Sequence, residues 1–393
     1  MTRILVLNEL HPSEQPGAAT IAYDYALGLS AQEKTVFLYT AKTSTKTTIG
    51  NLEMVSISRS AFLPKLPTSV RDYAKVFLDL LNLPRALNVL RQINSLRPDQ
   101  IWIHQIGNDI PRLLVPFLSR RYKVLITLHD FGLIVPRKLY PFDLTDSNLK
   151  SLGILANRAP GFKRLKRYIK LSFFFHILRR KILKFYFRNT KLISISALQS
   201  EIYMKFGFQI SGVVSNGIDF CNCNSLTSLT RNNGVLFVGR LIGKGFPRLL
   251  RSAQRDAFKL RVVGDADIES YLSENDITRH ATYMGKLSRN EVIAEMHKVM
   301  FVYVASDCFD VYPTVGLEAI RHGAIPITSN TTGIRDLVKR IDNSLILEVG
   351  EEVFSLSKLF DFFVKNYPKE QIEKVNSQIN SVSDALEEYS NLI

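Results

Sequence analysis

Apolar residues in this chain gather into short continuous runs separated by stretches in which they recur every three or four positions. Runs of four to eight that end in loop residues read as strands buried on both faces, and the intervening stretches read as helices. In the first half the strands are Arg3 to Leu7, Thr35 to Tyr39, Ile101 to His104, Val124 to Asp130 and Leu192 to Ile195. Helices fall at Ala18 to Ser30, around 70–95 and 108–121, and before Phe206. The pattern then restarts, with strands at Val235 to Gly239, Leu260 to Gly264, near Tyr283, Phe301 to Val304 and Ile325 to Thr328. A last helix runs from Ser381 to Ile393, with Val382, Leu386 and Tyr389 on one face.

Strands alternating with helices predict an α/β protein, and the restart predicts two doubly wound domains facing each other across a cleft. The length of 393 residues fits two cores better than one. The expected division is 1–208, 209–376 and a C-terminal helix, 377–393, docking back on the first domain, with Val213 to Asp219 as the crossing. In such sheets ligands gather beyond the carboxyl ends of the strands, so the residues at those ends are the candidates for chemistry.

The richest such end is Phe301 to Asp336. A strand, a polar loop from Ser306 to Asp310, and Pro313 introduce a helix that Gly323 ends. Pro313 suits the first helical turn, and the N–H groups of Thr314 and Val315 would form an anion site at the positive end of the helix dipole. Asp310 and Glu318 bracket that site. The local pattern leaves two readings open: a ligand clamp, or a helix-dipole partner and a solvated loop acid. Arg240 and Lys244, in GRLIGKGFPRLL, sit between a strand and a helix at the same edge, a pair able to neutralise a diphosphate without a metal. In the first half, Gly17 precedes a helix and permits close backbone approach, and His129 with Asp130 ends a strand.

Charge adds a second theme. The net +15 is carried by residues 1–200, with 30 Lys/Arg against 12 Asp/Glu, while residues 201–393 hold 21 against 24. From Phe162 to Arg188, ten Lys/Arg interleave with Phe, Tyr, Leu and Ile and no acid intervenes. This fits an anionic membrane surface, or a basic solvated face over the sheet; nucleic acid ranks lower because no recognition module accompanies it. No apolar window approaches the length of a membrane span, and the first apolar run is too short for a signal-peptide core. Three cysteines, Cys221, Cys223 and Cys308, are too few for a disulfide framework and lack zinc spacing.

PGAAT, TLHD, SNGID, VGRL followed by KG, VVGDAD, YMGKLS and DVYPTVGLEAIRHGAIPITSNTTGIRDLV together resemble the GT-B glycosyltransferases, and among them glycosyltransferase family 4. The resemblance implies retaining transfer from a nucleotide-diphosphate sugar with neither metal nor other cofactor. It implies that Arg240 and Lys244 hold the diphosphate, and that Glu318 binds the ribose. The Thr314 and Val315 backbone would hold phosphate, and Asp310 the donor-sugar hydroxyls. Gly17 would approach the diphosphate, His129 the reacting centre, and Tyr283, Met284 and Gly285 the base, with Asn216 of SNGID among the substrate-binding residues. The chain departs from the family in having Asp310 where Glu is usual, a shorter Arg240 to Lys244 interval and no doubled glycine at PGAAT. TLHDF after a basic half is most similar to members building surface polysaccharides and glycolipids. The expected partners are therefore a glycolipid or polysaccharide acceptor and the inner face of the plasma membrane, from the cytoplasmic side. The alternatives are a sugar-nucleotide 2-epimerase on the same fold and a non-catalytic basic membrane- or nucleic-acid-binding protein.

Overall fold

The apolar runs close into two largely parallel sheets, each in its own unit. The computed structural model describes residues 2–14, 17–59, 78–107, 109–135, 140–141, 177–218, 232–240, 243–265, 268, 280–348 and 354–392. Most of the basic 162–188 segment, together with Cys221 and Cys223, lies outside the described residues. The first unit holds 1–139, 143–217 and 382–393, and the second 140–142 and 218–381.

The first unit begins β1 (Arg3–Asn8), α1 (Ala18–Ser30), β2 (Lys34–Ala41), β3 (Lys46–Ile49), β4 (Leu52–Ser58), α2 (Leu83–Leu96), β5 (Gln100–Gln105) and β6 (Lys123–Leu128). β7 (Tyr140–Pro141) belongs to the second unit, after which β8 (Lys191–Ser194), α3 (Ala197–Lys205) and β9 (Gly212–Val213) complete the first. The sheet order is β3-β4-β2-β1-β5-β6-β8-β9, parallel throughout except for β3 on β4. β9 pairs with β8, which carries the first unit on to Gly217.

Two local expectations fail for physical reasons. Residues 46–58, where the apolar runs predict no strand, form an edge hairpin: all four β3 positions are exposed, so Lys-Thr-Thr-Ile carries no buried-strand signal. The helix expected over 108–121 shrinks to a turn at Arg112–Leu114 and a short helix at Val115–Leu118. Pro111 supplies no N–H there, and Asp79 captures the backbone N–H of Arg112 at 2.8 Å.

The second unit runs β10 (Asn232–Gly239), α4 (Phe246–Arg255), β11 (Leu260–Gly264), β12 (Ala281–Tyr283), α5 (Arg289–Met296), β13 (Val299–Tyr303), β14 (Cys308–Phe309) and α6 (Thr314–Arg321). It continues with β15 (Ile325–Ser329), α7 (Arg335–Ile341), β16 (Ile346–Leu347), α8 (Leu356–Lys365) and α9 (Lys369–Asn376). Its main sheet is all parallel, in the order β12-β11-β10-β13-β15-β16. The chain winds outward from β10 one way through β11 and β12, then the other way through β13 and β15. In sheets of this kind ligands bind where the winding reverses, here beyond the ends of β10 and β13. In the first sheet β1 lies between β2 and β5, where the winding also reverses.

The last helix, α10 (Val382–Asn391), is part of the first unit. Val382, Ala385 and Tyr389 join the core cluster containing Tyr25 and Trp102. The Tyr389 ring lies 5.4 Å from Trp102 and 5.6 Å from Tyr25, and its hydroxyl shares a 2.9 Å hydrogen bond with that of Thr127. Among the described residues no helix is long and apolar enough to cross a membrane.

Candidate active site

The loops after β10 and β13 are pinned together before any side chain is considered. Gly245 caps α4 at φ +70, and a Cβ there would sit 2.1 Å from the carbonyl oxygen of Ala305, so only glycine lets the two loops touch. The backbone N–H of Asp307 donates to the carbonyl of Gly243 at 3.2 Å, and the Cys308 thiol approaches that carbonyl at 3.6 Å. Lys244 is thereby carried over the end of β13, and its ammonium donates to Asp310 Oδ2. The Ser306 hydroxyl donates to the same oxygen at 2.9 Å. Asp310 is anchored at both backbone ends, its N–H on the carbonyl of Thr331 at 3.1 Å and its carbonyl accepting from Gly333 at 2.8 Å. Arg240, on the end of β10, is exposed.

The helix that follows starts one residue later than its sequence suggests. Pro313 is the cap of α6, extended at ψ 109, rather than a member of its first turn. The consequence for the site is the same: among the described residues, the N–H groups of Thr314 and Val315 make no hydrogen bond. Glu318, one turn on, receives Arg289 of α5 at 2.8 Å. Arg289 stands at the start of α5, which is fixed by a reciprocal cap between Ser288 and Glu291. Burial raises the Glu318 carboxyl above its ordinary range, with Arg289 opposing.

Tyr283, Met284 and Gly285 edge the sheet on the α5 side. The N–H of Met284 donates to Val262 at 2.9 Å, the Gly285 carbonyl accepts from Gly264 at 3.1 Å, and the Tyr283 hydroxyl donates to the Gly264 carbonyl at 3.1 Å. Because Arg289 follows this segment after Lys286, Leu287 and Ser288, its pair with Glu318 ties the Tyr283 to Gly285 edge to α6. Lys244, Asp310, Thr314, Val315, Glu318 and this edge thus share one end of one sheet. Ser306 and Arg289 were not singled out by sequence. Ser306 stood in the polar loop, but Arg289 had no local signal, because its meaning depends on a residue of another helix.

The first unit holds the other three candidates. Gly17 caps α1 at φ +93, a backbone that glycine adopts freely and a side-chain-bearing residue would not, and a Cβ there would meet nothing within 4 Å. Asn216 is buried, and its Oδ1 has no partner among the described residues. His129 follows β6 and is half-buried, with Nε2 at 2.8 Å from Nδ1 of His104 on β5. Burial lowers the His129 imidazole to about 4, against the opposing charge of Asp130, so it is neutral near pH 7. The loop beyond it is held from behind: the Asp130 carbonyl accepts from the Tyr203 hydroxyl at 2.8 Å, and the Gly132 carbonyl from Arg179 at 2.6 Å. His104 closes the strand read from IWIH, and that position at a strand end was its available signal.

Residues 224–379 match the model of the glycosyl transferases group 1 family. That match spans most of the second unit. No curated protein sequence matches the chain. Its fold resembles sucrose-phosphate synthase from Thermosynechococcus elongatus, with a TM-score of 0.70 at 13% identity, covering 99% of this chain and 98% of that one. It also resembles HepE of Anabaena in complex with UDP, at TM-score 0.65 and 12% identity over 100% and 99% of the two chains. A third is WaaG, a glycosyltransferase involved in lipopolysaccharide biosynthesis, at TM-score 0.57 and 13% identity over 100% and 99%. At such identities the likeness establishes the GT-B fold. The group 1 match spans every second-unit residue assembled above, from Arg240 to Glu318.

Proposed function

We propose that this protein is a retaining, metal-independent glycosyltransferase that moves a hexose from a nucleotide-diphosphate donor to a lipid-linked or surface-polysaccharide acceptor. It would work from the cytoplasmic side at the inner face of the membrane. One observation carries this reading: the Lys244 ammonium, held with Ser306 on Asp310, stands at the switch-point end of the group 1 sheet beside the open N–H groups of α6. Cations and N–H donors fixed in advance are what a departing diphosphate needs as its charge develops. HepE, a similar fold, is described with UDP and with UDP-glucose, which supports a nucleotide-sugar donor here.

In this reading Arg240 and Lys244 neutralise the diphosphate and the Thr314 and Val315 amides bind its phosphate oxygens. Asp310 takes the sugar hydroxyls and Glu318 the ribose hydroxyls. Gly17 approaches the diphosphate, His129 meets the sugar, Asn216 contributes to the substrate site and the Tyr283 to Gly285 backbone edges the base. Lys244 pairs with Asp310; a diphosphate would compete for the ammonium and free the carboxylate for the sugar. No carboxylate nucleophile is assigned. Incubation with a panel of sugar nucleotides should release nucleoside diphosphate from at least one, unaffected by chelators. Folded protein that turns over none of them sinks the proposal, and interconversion of the free donor without release would indicate an epimerase.

Ribose binding needs ionised Glu318, so donor kcat/KM should fall on the acid side as its raised pKa is approached. Arg289→Ala removes the opposing cation, raises that pKa further and should move the acid limb to higher pH. An unchanged limb in the pH-rate profile refutes the assignment of that limb to Glu318.

Membrane docking rests on the +18 first half. At the described end of the basic segment, Leu178 and Phe185 are 41% and 53% exposed, and Arg188 lies 4.1 Å over the Phe185 ring. Binding to anionic liposomes should weaken with salt and on neutralising Lys163, Arg164, Lys166 and Arg167 together. Equal binding to neutral liposomes would contradict it.

A further inference from the structure

We propose that His104 is a positioning residue that fixes the tautomer of His129, so that His129 presents an N–H rather than a lone pair on its open side. The inference rests on the reading of His129 as the residue that meets the donor sugar, but its test does not.

The geometry begins with the 2.8 Å contact between His104 Nδ1 and His129 Nε2, rings 5.1 Å apart and stacked. Burial holds both imidazoles below their ordinary range and neutral near pH 7, and the neighbouring His129 adds to the effect at His104. One ring must therefore donate and the other accept. If His129 donated from Nε2, His104 would carry its own proton on Nε2. That nitrogen is buried and has no partner among the described residues. His104 is buried, its ring 5.6 Å from that of Tyr25 at an interplanar angle of 66°, and Tyr25 belongs to the core cluster that includes α1. An orphaned buried donor is rarer than an orphaned acceptor. The alternative places the His104 proton on Nδ1, donates it to His129 Nε2, and leaves the buried Nε2 as a bare acceptor.

With its Nε2 lone pair occupied, neutral His129 must hold its proton on Nδ1. That nitrogen makes no hydrogen bond among the described residues, and it is not among the buried unpartnered atoms. The N–H is thus offered outward, as a donor suited to a hydroxyl or carbonyl oxygen of a ligand. Nothing within the His129 side chain would choose this tautomer, because the other is favoured slightly in a free imidazole. The choice is made by the neighbouring strand.

The test is a long-range nitrogen–proton NMR spectrum of histidine-labelled protein, without donor. Wild type should show His129 protonated on Nδ1. His104→Asn, whose amide can donate from nearly the same place, should keep that pattern; His104→Leu should lose it, giving the other tautomer or a mixture. Wild-type His129 protonated on Nε2, or an unchanged pattern in His104→Leu, overturns the proposal. Where a donor substrate is in hand, His104→Leu should lower kcat about tenfold to a hundredfold with little change in KM, and His104→Asn should recover most of it. A correct tautomer with no turnover of any sugar nucleotide would leave the positioning role standing and remove the proposed function instead.

Discussion

Lys244→Ala is expected to lower kcat/KM for the donor by about a hundredfold to a thousandfold, the usual loss when one fixed donor to developing negative charge is removed. Lys244 is partly exposed, its loop is held by backbone contacts of Gly243 and Gly245, and its side chain has an ion pair with Asp310. The variant should therefore fold, with a stability change small beside its kinetic one. Lys244→Arg, which keeps the charge but not the compact ammonium, should fall between the two. The measurement is nucleoside diphosphate release at saturating and at low donor. A rate within threefold of wild type would mean that the ammonium merely holds Asp310, and Arg240 would then be the cation left to stabilise the leaving group.

The second large effect concerns stability. Asp79 is buried, with one carboxylate oxygen accepting the Arg112 backbone N–H at 2.8 Å and the other the Arg112 guanidinium; Arg179 lies 3.9 Å from that second oxygen. Two buried guanidinium groups thus share one close carboxylate. Burial and the repulsion of Arg112 push Arg179 down to about 10, still protonated at neutral pH. Asp79→Asn keeps the shape and removes the charge, so it should cost about 3–5 kcal/mol, the penalty for leaving buried charge unpaired. In a unit of this size that is roughly a 10 °C fall in Tm, read by thermal denaturation. Because Arg179 also holds the Gly132 carbonyl behind His129, activity at permissive temperature should fall as well. A Tm shift of less than about 2 °C would show that water or other groups compensate the pair.

How far the sequence reaches can be judged residue by residue. The span of α1 from Ala18 to Ser30 and the strand Leu260 to Gly264 coincide with their expectation, because each has a dominant apolar pattern bounded by a glycine at one end. β3 was not readable, since an exposed edge strand buries nothing. The helix over 108–121 was misread, because prolines and a remote aspartate decide its course. At the site, Asp310, Arg240 and Lys244 were legible as charges beyond strand ends, and Glu318 as one on the helix that follows. Arg289 was not, and His104 was legible only as a polar residue at a strand end, since each acquires its meaning from a residue on another element.

By itself the sequence determined two restarting α/β patterns, the strand ends at which polar residues collect, and the uneven charge of the two halves. These are local or summed properties, set by periodicity and composition. Only the tertiary structure decided which side chains share a proton or a charge: Lys244 with Ser306 on Asp310, Arg289 on Glu318, and His104 on His129. Hydrogen bonds of this kind depend on distances of a few tenths of an ångström between residues far apart in the chain, and such distances are set by sheet register and packing, which no local pattern records.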